Sequence, residues 1–562
     1  MKTVSRVIAL AALALAGGLV FSPLLASLLG TNLHGEALAD AFRGMLKPYA
    51  VSAGSAFASA VAALALGVPF ALLVERSQPP LKRLSWALGL LVLMVPPYIV
   101  AEGWIVLLGP AGKISKSLAL TLGLGPKSGA PIEVARYMVP GFVYTWPGVG
   151  MVMGGCLFPI VALAVASALR RTDYRVFEAA RLAQGPRGVR RIASSILVPP
   201  ALGAALLVFA VTLTEFAVPQ LLRVRTMGEA VYERIQEGDL GAAAALSLPL
   251  LPLVVAAGAL GALMLMRARV ASLAGLEGEV PKFNRPPAGL AGALGAAVVT
   301  FCAVVPALLL PITSLIWLAA TATLHQGTAA GTHRLLRASG FFHSLGGAWD
   351  LAHNDAVRTV LLAALAASLA TALATFLVRS VSRFGWNPCL GVLGAGLAVP
   401  APLVGLGLIR LWDHEWSAPI FQGPAIVLLA WFARFLPLAV FLAQGALARV
   451  PRELEQAAAL SGRGSVARFF AVVAPGAAPG LIAAWLASYV LCATEFSATV
   501  LVAPPGGPLL APSVVNLMRR GQDPEIAACQ FLLLAVIALP LAALAVSTGV
   551  RLRSWLGEGK TP

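Results

Sequence analysis

The chain has 562 residues, of which 59% are hydrophobic and only 12% are charged, and its mean hydropathy is +0.86. This composition is too apolar for a water-soluble globular protein of this length and indicates an integral membrane protein. The net charge of +17 would suit nucleic-acid binding, but the basic residues concentrate in segments that alternate with apolar stretches, as the positive-inside rule predicts for cytoplasmic loops. Membrane lipid is therefore the expected partner, and nucleic acid is not.

About twelve apolar stretches are long enough to cross a hydrocarbon core of roughly 30 Å, which takes about 20 helical residues each. Their apolar runs are continuous, without the two-residue alternation of a membrane barrel, and this favours helices. The predicted spans are 7–29, 51–75, 85–108, 140–168, 198–222, 243–266, 289–318, 356–378, 388–411, 424–447, 475–502 and 526–550.

The first predicted span could be a cleaved signal peptide, because Lys2 and Arg6 precede its apolar run. The run continues to Leu29, which is too long for the apolar region of a signal peptide. An uncleaved first helix is therefore expected, and with an even number of spans both termini are expected in the cytoplasm.

The most informative pattern in the chain is a tandem repeat. One segment reads EAARLAQG from Glu178 to Gly185, and a second reads EQAAALSG from Glu455 to Gly462. In each copy a basic segment follows, and a proline-opened apolar stretch then carries Thr-Glu-Phe, at 214–216 and at 494–496. Such internal similarity indicates that one fold unit was duplicated and fused.

A second pair of landmarks predicts an insertion in the first copy. Val95-Pro96 parallels Val399-Pro400 at a separation of 304 positions, whereas Glu178 and Glu455 are 277 positions apart. The first copy therefore contains 27 additional residues, which we expect in the polar stretch from about 110 to 136.

The repeat predicts an all-α polytopic membrane protein with two homologous six-helix halves. The first half is 1–266, with a core at about 50–265, and the second is 289–562, with a core at about 355–550. Residues 267–288 form a short polar linker between them, which is expected to be cytoplasmic.

The repeated Glu/Gly segments are candidate docking loops on the cytoplasmic side. Good helix formers predict a short helix in each copy, and a glycine permits a sharp turn and close approach of another surface. A single copy could be an ordinary helix connection, but two copies between equivalent spans favour a functional role. The candidate residues are Glu178, Ala179, Ala180, Gly185, Glu455, Ala457, Ala458 and Gly462.

These loops resemble the cytoplasmic signature loop, the EAA loop, of permeases from binding-protein-dependent ABC importers. The resemblance spans about 50–265 and 355–550, so that each half corresponds to one permease domain. The fused halves, the Val-Pro-Pro and Val-Pro-Ala-Pro segments and the paired Thr-Glu-Phe motifs look most like ferric-iron importer permeases, with thiamine permeases as close relatives. The spacing from Glu to Gly is one residue longer than usual in the family. Counted back from the glycine, Ala179 and Gln456 occupy the family's Glu position.

The resemblance implies a type I importer in the bacterial plasma (inner) membrane. Two copies of a separate cytoplasmic ABC ATPase would bind the loops, and a periplasmic or lipid-tethered solute-binding protein would dock outside. ATP hydrolysis would occur on that partner, so the chain is expected to be a transport subunit with no catalytic residue, no cofactor and no enzyme activity. The sequence itself has no Gly-rich phosphate loop followed by Lys and Ser or Thr.

Charged residues inside a bilayer are costly and therefore suggest function. Glu215 and Glu495 lie at similar depth on equivalent helices, Arg434 lies near the middle of another span, and Glu102 lies near the outer end of the third. Three interpretations stay open for these charges: a structural ion pair, capping of a broken helix, and direct contact with a cation or other substrate. No metal site is predicted. All six histidines fall in segments that we place on the outer side of the membrane, where the alternatives are a metal handoff surface and ordinary polar loops.

The predicted substrate is ferric iron, because two symmetric acids would ease passage of a positive ion. Thiamine or another small solute is the alternative, since a separate binding protein largely sets affinity in such systems. A secondary transporter also uses internal repeats and broken helices, but it needs no docking loop for an ATPase. A membrane-embedded enzyme would need converging catalytic groups that the sequence does not show.

Overall fold

The computed structural model describes residues 2–29, 35–109, 112, 114–115, 117, 142–273, 289–323, 334–336, 338–504, 506–521 and 523–547. The helices of the first half are α1 (Lys2–Leu29), α2 (Gly35–Val74), α3 (Pro79–Met94), α4 (Pro97–Leu108), α5 (Trp146–Arg171), α6 (Tyr174–Leu213), α7 (Ala217–Leu221), α8 (Met227–Gln236), α9 (Leu240–Ser247) and α10 (Leu250–Leu273).

The second half opens with α11 (Leu290–Val304), a π-helical turn (Val305–Leu309) and α12 (Leu310–Ala319). Its other helices are α13 (Ala338–Arg383), α14 (Asn387–Gly394), α15 (Ala401–Trp412), α16 (Ala418–Phe421), α17 (Ala425–Leu447), α18 (Arg452–Leu460), α19 (Ser465–Arg468), α20 (Ala474–Thr494), α21 (Thr499–Val502), α22 (Leu510–Met518) and α23 (Pro524–Ser547). Two short antiparallel strands, β1 (Thr321–Thr323) and β2 (Arg334–Leu336), pair Thr321 with Leu336.

The predicted all-α polytopic class is confirmed. Within the described residues, nine helices are long and apolar enough to cross a membrane, and the number rises to eleven if two bent helix pairs are each one span. The ninth predicted span, 388–411, is divided into α14, a 3-10 turn (Ala395–Ala398) and the short apolar helix α15.

The span predicted over 85–108 is not a straight helix but two helices, α3 and α4, that meet at 93°. The break lies at Val95-Pro96-Pro97, where proline removes a backbone donor and the preceding residue is forced into extended geometry, with φ −86° and ψ 122° at Val95. The corresponding Val399 is also extended and separates the 3-10 turn from α15. The repeated Val-Pro therefore marks a repeated bend, a feature that hydropathy alone does not reveal.

The expected insertion and linker fall largely outside the described residues. Of the stretch 110–136, only residues 112, 114–115 and 117 are described. The helix α10 continues to Leu273 and so includes the first residues of the predicted linker; the remaining residues, 274–288, lie outside the described part.

The first helical segment of each half packs against the other half. The helix α1 packs against α13, α15 and α17 of the second half, whereas α11 and α12 pack against α2, α3 and α4 of the first. Arg410 on α15 donates a hydrogen bond of 2.6 Å to the carbonyl oxygen of Ser27 on α1. Ser314 on α12 donates one of 2.9 Å to the carbonyl oxygen of Gly103 on α4. The halves are therefore interlocked by exchanged helices.

Two repeated glycines, Gly103 and Gly407, allow these exchanged helices to approach. A Cβ on Gly407 would overlap the carbonyl oxygen of Pro23 in α1. A Cβ on Gly103 would lie 2.5 Å from the Cα of Pro311 in α12. Both obstructing atoms belong to backbone and cannot rotate away, so only glycine fits at either crossing. Small residues have this role at helix contacts in membranes, where close packing replaces the hydrophobic effect as the source of association.

One buried apolar core runs through both halves. It includes Phe70, Phe158 and Phe216 from the first half and Trp431 and Tyr489 from the second, all with 2% exposure or less. Other large apolar side chains point away from the core and are largely exposed, as expected where lipid covers the surface: Phe57, Phe301, Leu361 and Phe441.

Replacing Gly407 with Ala should destabilise the protein by about 1–3 kcal/mol, because the new methyl group overlaps the Pro23 carbonyl. The measurement is thermal unfolding of the purified protein in detergent. Gly391→Ala is the matched control, since Gly391 is also helical and a Cβ there would meet no atom within 4 Å. Equal melting temperatures for the two variants would contradict the interlocking contact.

Candidate functional site

The two Thr-Glu-Phe segments lie where long helices break. The helix α6 ends at Leu213, and Glu215 accepts a hydrogen bond of 3.0 Å from the backbone N–H of Ala217, at the start of α7. The helix α20 ends at Thr494, and Glu495 accepts bonds of 2.8 Å from the N–H groups of Ala498 and Thr499, at the start of α21. A carboxylate at a helix N-terminus satisfies donors that have no partner within the helix. Each acid thus caps the short helix that follows it.

Glu495 also forms an ion pair with Arg434, at 2.6 Å between Nη1 and Oε1. The side chain of Glu495 is 2% exposed and that of Arg434 is 22% exposed. The hydroxyl of Thr499 hydrogen-bonds to the same carboxylate and accepts a bond of 3.0 Å from the indole N–H of Trp431. The structure therefore combines two of the three interpretations, ion pair and helix cap, in one residue.

Among the described residues of the first half, Glu215 has no equivalent ion pair. By spacing from the repeated Glu, the position of Arg434 corresponds to Leu157, so no cation replaces it. Glu215 is half-buried and lies close enough to Arg434 and Glu495 to interact with both electrostatically. Arg434 thus interacts with both acids: it contacts Glu495 directly and acts on Glu215 at longer range.

The two phenylalanines of the repeated motif meet between the halves, which sequence reasoning missed. The rings of Phe216 and Phe496 stack with centroids 5.7 Å apart and an interplanar angle of 3°. They are 0% and 3% exposed, so the contact is closed to solvent. Tyr98, which follows the bend at Pro96-Pro97, donates a hydrogen bond of 3.3 Å from its hydroxyl to the carbonyl oxygen of Thr494 across the same interface. The signal was present in the sequence, because both rings belong to the motif that identified the acids.

Glu102 does not join this group. It is 3% exposed, and within the described part of the chain its carboxylate has no hydrogen bond or ion pair. Its charge is near enough to the Tyr144 side chain to interact with it electrostatically. Across the described ranges, no group of three or more His, Cys, Asp or Glu residues is placed to hold a metal ion.

The candidate docking loops have the expected glycine turns. Gly185 interrupts α6 with φ +60°, and Gly462 follows α18 with φ +79°. Beside these turns Leu182 is 89% exposed and Leu460 is 91% exposed. Each loop therefore presents an apolar side chain that the chain itself does not cover.

The candidate residues around these turns differ in exposure. Glu178 and Ala179 are exposed but Ala180 is buried, whereas Ala457 is exposed and Ala458 is half-buried. Exposed residues fit a surface for a partner, and Ala180 is instead part of the packing beneath it.

Charged contacts tie each loop to the helix bundle, and they differ between the halves. In the second half, Arg379 near the end of α13 bonds to Glu455 of the loop at 2.6 Å. In the first half, Glu75 at the end of α2 accepts from Arg170 at 2.5 Å and Lys82 at 2.7 Å.

Glu75 was not singled out from the sequence, because nothing in its local pattern separates it from an ordinary loop acid. Burial alone would raise the pKa of Glu75, but the hydrogen bonds from Arg170 and Lys82 outweigh it and the pKa is lowered. The carboxylate is therefore ionised at neutral pH and anchors α2 to the end of α5, immediately before the first loop.

The chain is similar to permease proteins of bacterial transport systems, although no family model matches it. The putrescine transport system permease protein PotI of Escherichia coli (strain K12) is 26% identical over 208 residues, which cover 36% of this chain and 72% of PotI. The putative 2-aminoethylphosphonate transport system permease protein PhnV of Salmonella choleraesuis (strain SC-B67) is 28% identical over 168 residues, 29% of this chain and 58% of PhnV. Both are named as permeases, which agrees with a transport subunit and gives no support to an enzyme.

Removing only one partner of the Arg434–Glu495 pair should be especially destabilising, because it leaves the other charge buried without its partner. We expect Glu495→Gln and Arg434→Leu each to destabilise, and the double variant to recover about 0.5–3 kcal/mol relative to additivity. Unfolding in detergent measures this cycle. The same cycle with Glu215→Gln is the control and should show weaker coupling, while strict additivity at Glu495 would contradict the pairing.

Proposed function

We propose that the chain is the fused permease subunit of an ATP-driven, binding-protein-dependent importer for small solutes. The observation that supports this most directly is the continuity of helix between each docking loop and each Thr-Glu-Phe turn. After Gly185 the helix α6 continues to Leu213, and the second loop leads through α19, a π-helical turn and α20 to Thr494. At about 1.5 Å per residue, each helix carries a displacement of its loop over roughly 40 Å to a capped acid.

The mechanism follows from this connection. An ATPase that binds Leu182 and Leu460 would move the two helices as rigid bodies, and their far ends hold Phe216 and Phe496. Separating the two rings would open a path between the halves, and restacking them would close it. An aromatic pair contributes about 0.5–1.5 kcal/mol beyond its burial, which is small against ATP-driven domain closure.

The subunit composition is part of the same proposal. The match to PotI covers 208 residues and 72% of that protein, so PotI is about half as long as this chain. One polypeptide here would therefore supply both permease halves, with one ATPase copy on each loop and a solute-binding protein on the opposite side. A secondary transporter would work without the ATPase, and this difference distinguishes the two classes.

We propose that both loops and both termini face the cytoplasm, because the loop from Arg170 to Arg191 is the most basic part of the chain. A single cysteine at Arg187→Cys should stay unmodified by an impermeant thiol reagent in intact cells and react after permeabilisation. Leu361→Cys, on a lipid-facing surface, controls for nonspecific labelling. Reaction of Arg187→Cys in intact cells would reverse the orientation.

Coupling to the ATPase depends on the turn at Gly462. Threonine is disfavoured at φ +79°, so Gly462→Thr should distort the loop and lower transport-coupled ATP hydrolysis several-fold without preventing membrane insertion. Gly464→Thr is the matched control two residues away, because Gly464 caps α19 with an ordinary extended φ of −63° and threonine is an acceptable N-cap. The assay uses the complex with its ATPase in liposomes; normal coupled hydrolysis by Gly462→Thr would contradict the docking role.

The substrate is proposed to be a small solute that carries a primary ammonium group. Glu215 and Glu495 would stabilise positive charge on the path, and the two relatives are named for putrescine and 2-aminoethylphosphonate, each of which carries a primary amine. Ferric iron is the second candidate, on the resemblance of the paired Thr-Glu-Phe motifs to ferric-iron permeases. Neither relative is named for iron or thiamine, so the amine is the first choice.

Uptake of radiolabelled putrescine, 2-aminoethylphosphonate, ferric iron and thiamine should be compared in cells with and without this chain. We expect deletion to abolish uptake of a primary amine and to leave iron uptake unchanged under iron starvation. Re-expression of the chain is the control for polar effects on neighbouring subunits. Loss of iron uptake alone would replace the amine by iron and leave the importer function standing.

A further inference from the structure

A cavity of about 310 Å³ lies between the halves on the side opposite the docking loops. Its walls come from α7 and α8 of the first half and from Arg519, which follows α22 of the second. Glu229 and Glu233 lie on α8 and Glu237 directly follows it; the three acids are four residues apart and share one face. A volume of this size is at the lower end of the range for small-molecule sites.

Two of the three acids are already paired. Glu233 bonds to Arg225 at 2.7 Å, and Glu237 bonds to Arg234 at 3.0 Å. Glu229 has no hydrogen bond or ion pair within the described residues, although it is half-buried. Its carboxylate is therefore the acceptor that remains available to a molecule in the cavity.

Gln220 provides independent evidence of an unfilled polar site. This residue on α7 lines the cavity and is 8% exposed, yet its carbonyl oxygen Oε1 has no hydrogen-bond partner in the described part of the chain. Leaving a buried acceptor unsatisfied is unfavourable, so such groups are normally paired in native structures. If the Gln220 amide rotates so that Oε1 faces the cavity, a bound donor group would satisfy this oxygen together with the Glu229 carboxylate.

The cavity lies directly outside the closed aromatic contact. Tyr232 lines it, and the Tyr232 ring packs against Phe216 with centroids 4.9 Å apart. Phe216 in turn stacks on Phe496. The backbone N–H of Gln220 also bonds to the carbonyl oxygen of Phe216 at 3.1 Å. A molecule held here would therefore contact the residues that move when the rings separate.

We propose that this cavity binds the primary-ammonium end of a small solute, with Glu229 and Gln220 as acceptors, before the solute passes between the halves. The inference rests on the proposed importer function and extends it to a site on the permease itself. An ammonium group has three donors and no acceptor, which matches one carboxylate and one amide oxygen. The charge-assisted bond to Glu229 would supply most of the affinity.

Arg519 determines what the other end of the solute can be. Its guanidinium lines the same cavity and is exposed. It would attract a phosphonate or carboxylate and repel a second ammonium group. Arg519 should therefore favour 2-aminoethylphosphonate, whose other end is an anion, and disfavour putrescine, whose other end is a second ammonium group.

Binding should be measured by calorimetry on the purified full-length chain in detergent, with putrescine and 2-aminoethylphosphonate as probes. Glu229→Gln should weaken both by about tenfold or more, since it removes the charge-assisted bond. Gln220→Leu should weaken both as well, because it removes the neutral acceptor. Arg519→Gln should strengthen putrescine binding and weaken 2-aminoethylphosphonate binding. Asp350→Asn is the control, because this exposed acid on α13 lies outside the cavity and should leave affinity unchanged.

Binding should also depend on pH. Burial and the charge of Glu233 raise the pKa of Glu229 to about 7, against opposing effects of Arg225 and Arg519. Because the ammonium group prefers an ionised carboxylate and both putrescine amines stay protonated in this range, putrescine affinity should fall as pH drops from about 8 to about 6. This pH dependence should disappear in Glu229→Gln.

The absence of amine binding to the folded wild-type chain, or equal affinities for wild type and Glu229→Gln, would overturn the cavity proposal. Ferric citrate or thiamine binding that requires Glu229 would equally overturn the primary-amine assignment. In either case coupled ATP hydrolysis that depends on Gly462 would still support the importer, so the two proposals fail separately.

Discussion

The structure depends on how the broken helices at Leu213 and Thr494 satisfy their backbone groups. These breaks lie among buried apolar residues, where water does not serve as a general hydrogen-bond partner and each orphaned N–H costs free energy. Glu215 and Glu495 meet that requirement by capping α7 and α21. The same capped turns position Phe216 and Phe496 against one another, so the stability of the break and the closure between the halves have one origin.

The two copies of the repeated motif are nearly symmetric, and the positions where they differ show how the two acids differ. Arg434 neutralises Glu495 directly, whereas Leu157 stands at the equivalent place in the first half. Glu215 is consequently the acid with less local compensation, and it belongs to the half that also contains the Glu229 cavity. The two equivalent acids therefore differ in their charge partners, although both belong to the same repeated motif.

The exchanged first helices hold the two halves together through close contacts. Gly407 against Pro23 and Gly103 against Pro311 are contacts of backbone on backbone, and such contacts tolerate little sliding. Relative motion of the halves would be more easily accommodated at the contact between Phe216 and Phe496, which is small and consists of two stacked side-chain rings. The helix crossings at Gly407 and Gly103 are rigid, whereas the aromatic contact between the halves is weak. This combination suits the proposed transport path, which would open between the two halves.

The amino-acid sequence by itself determined the solvent, the helical class, the repeat and the residues of the docking turns. Each of these depends on composition or on local spacing: apolar length sets a span, and a glycine without a Cβ sets a turn at positive φ. The sequence also identified Glu215, Glu495 and Arg434 as unusual, because a charged residue within an apolar stretch can be recognised from the sequence alone.

Only the tertiary structure decided which acid Arg434 contacts, that the two motif phenylalanines stack, and that α1 and α12 cross into the opposite halves. It also brought Gln220, Glu229 and Arg519 to one cavity, although Arg519 is far from the other two in the chain. These relations join residues hundreds of positions apart, and they arise from packing geometry between helices, which neither hydropathy nor local spacing encodes.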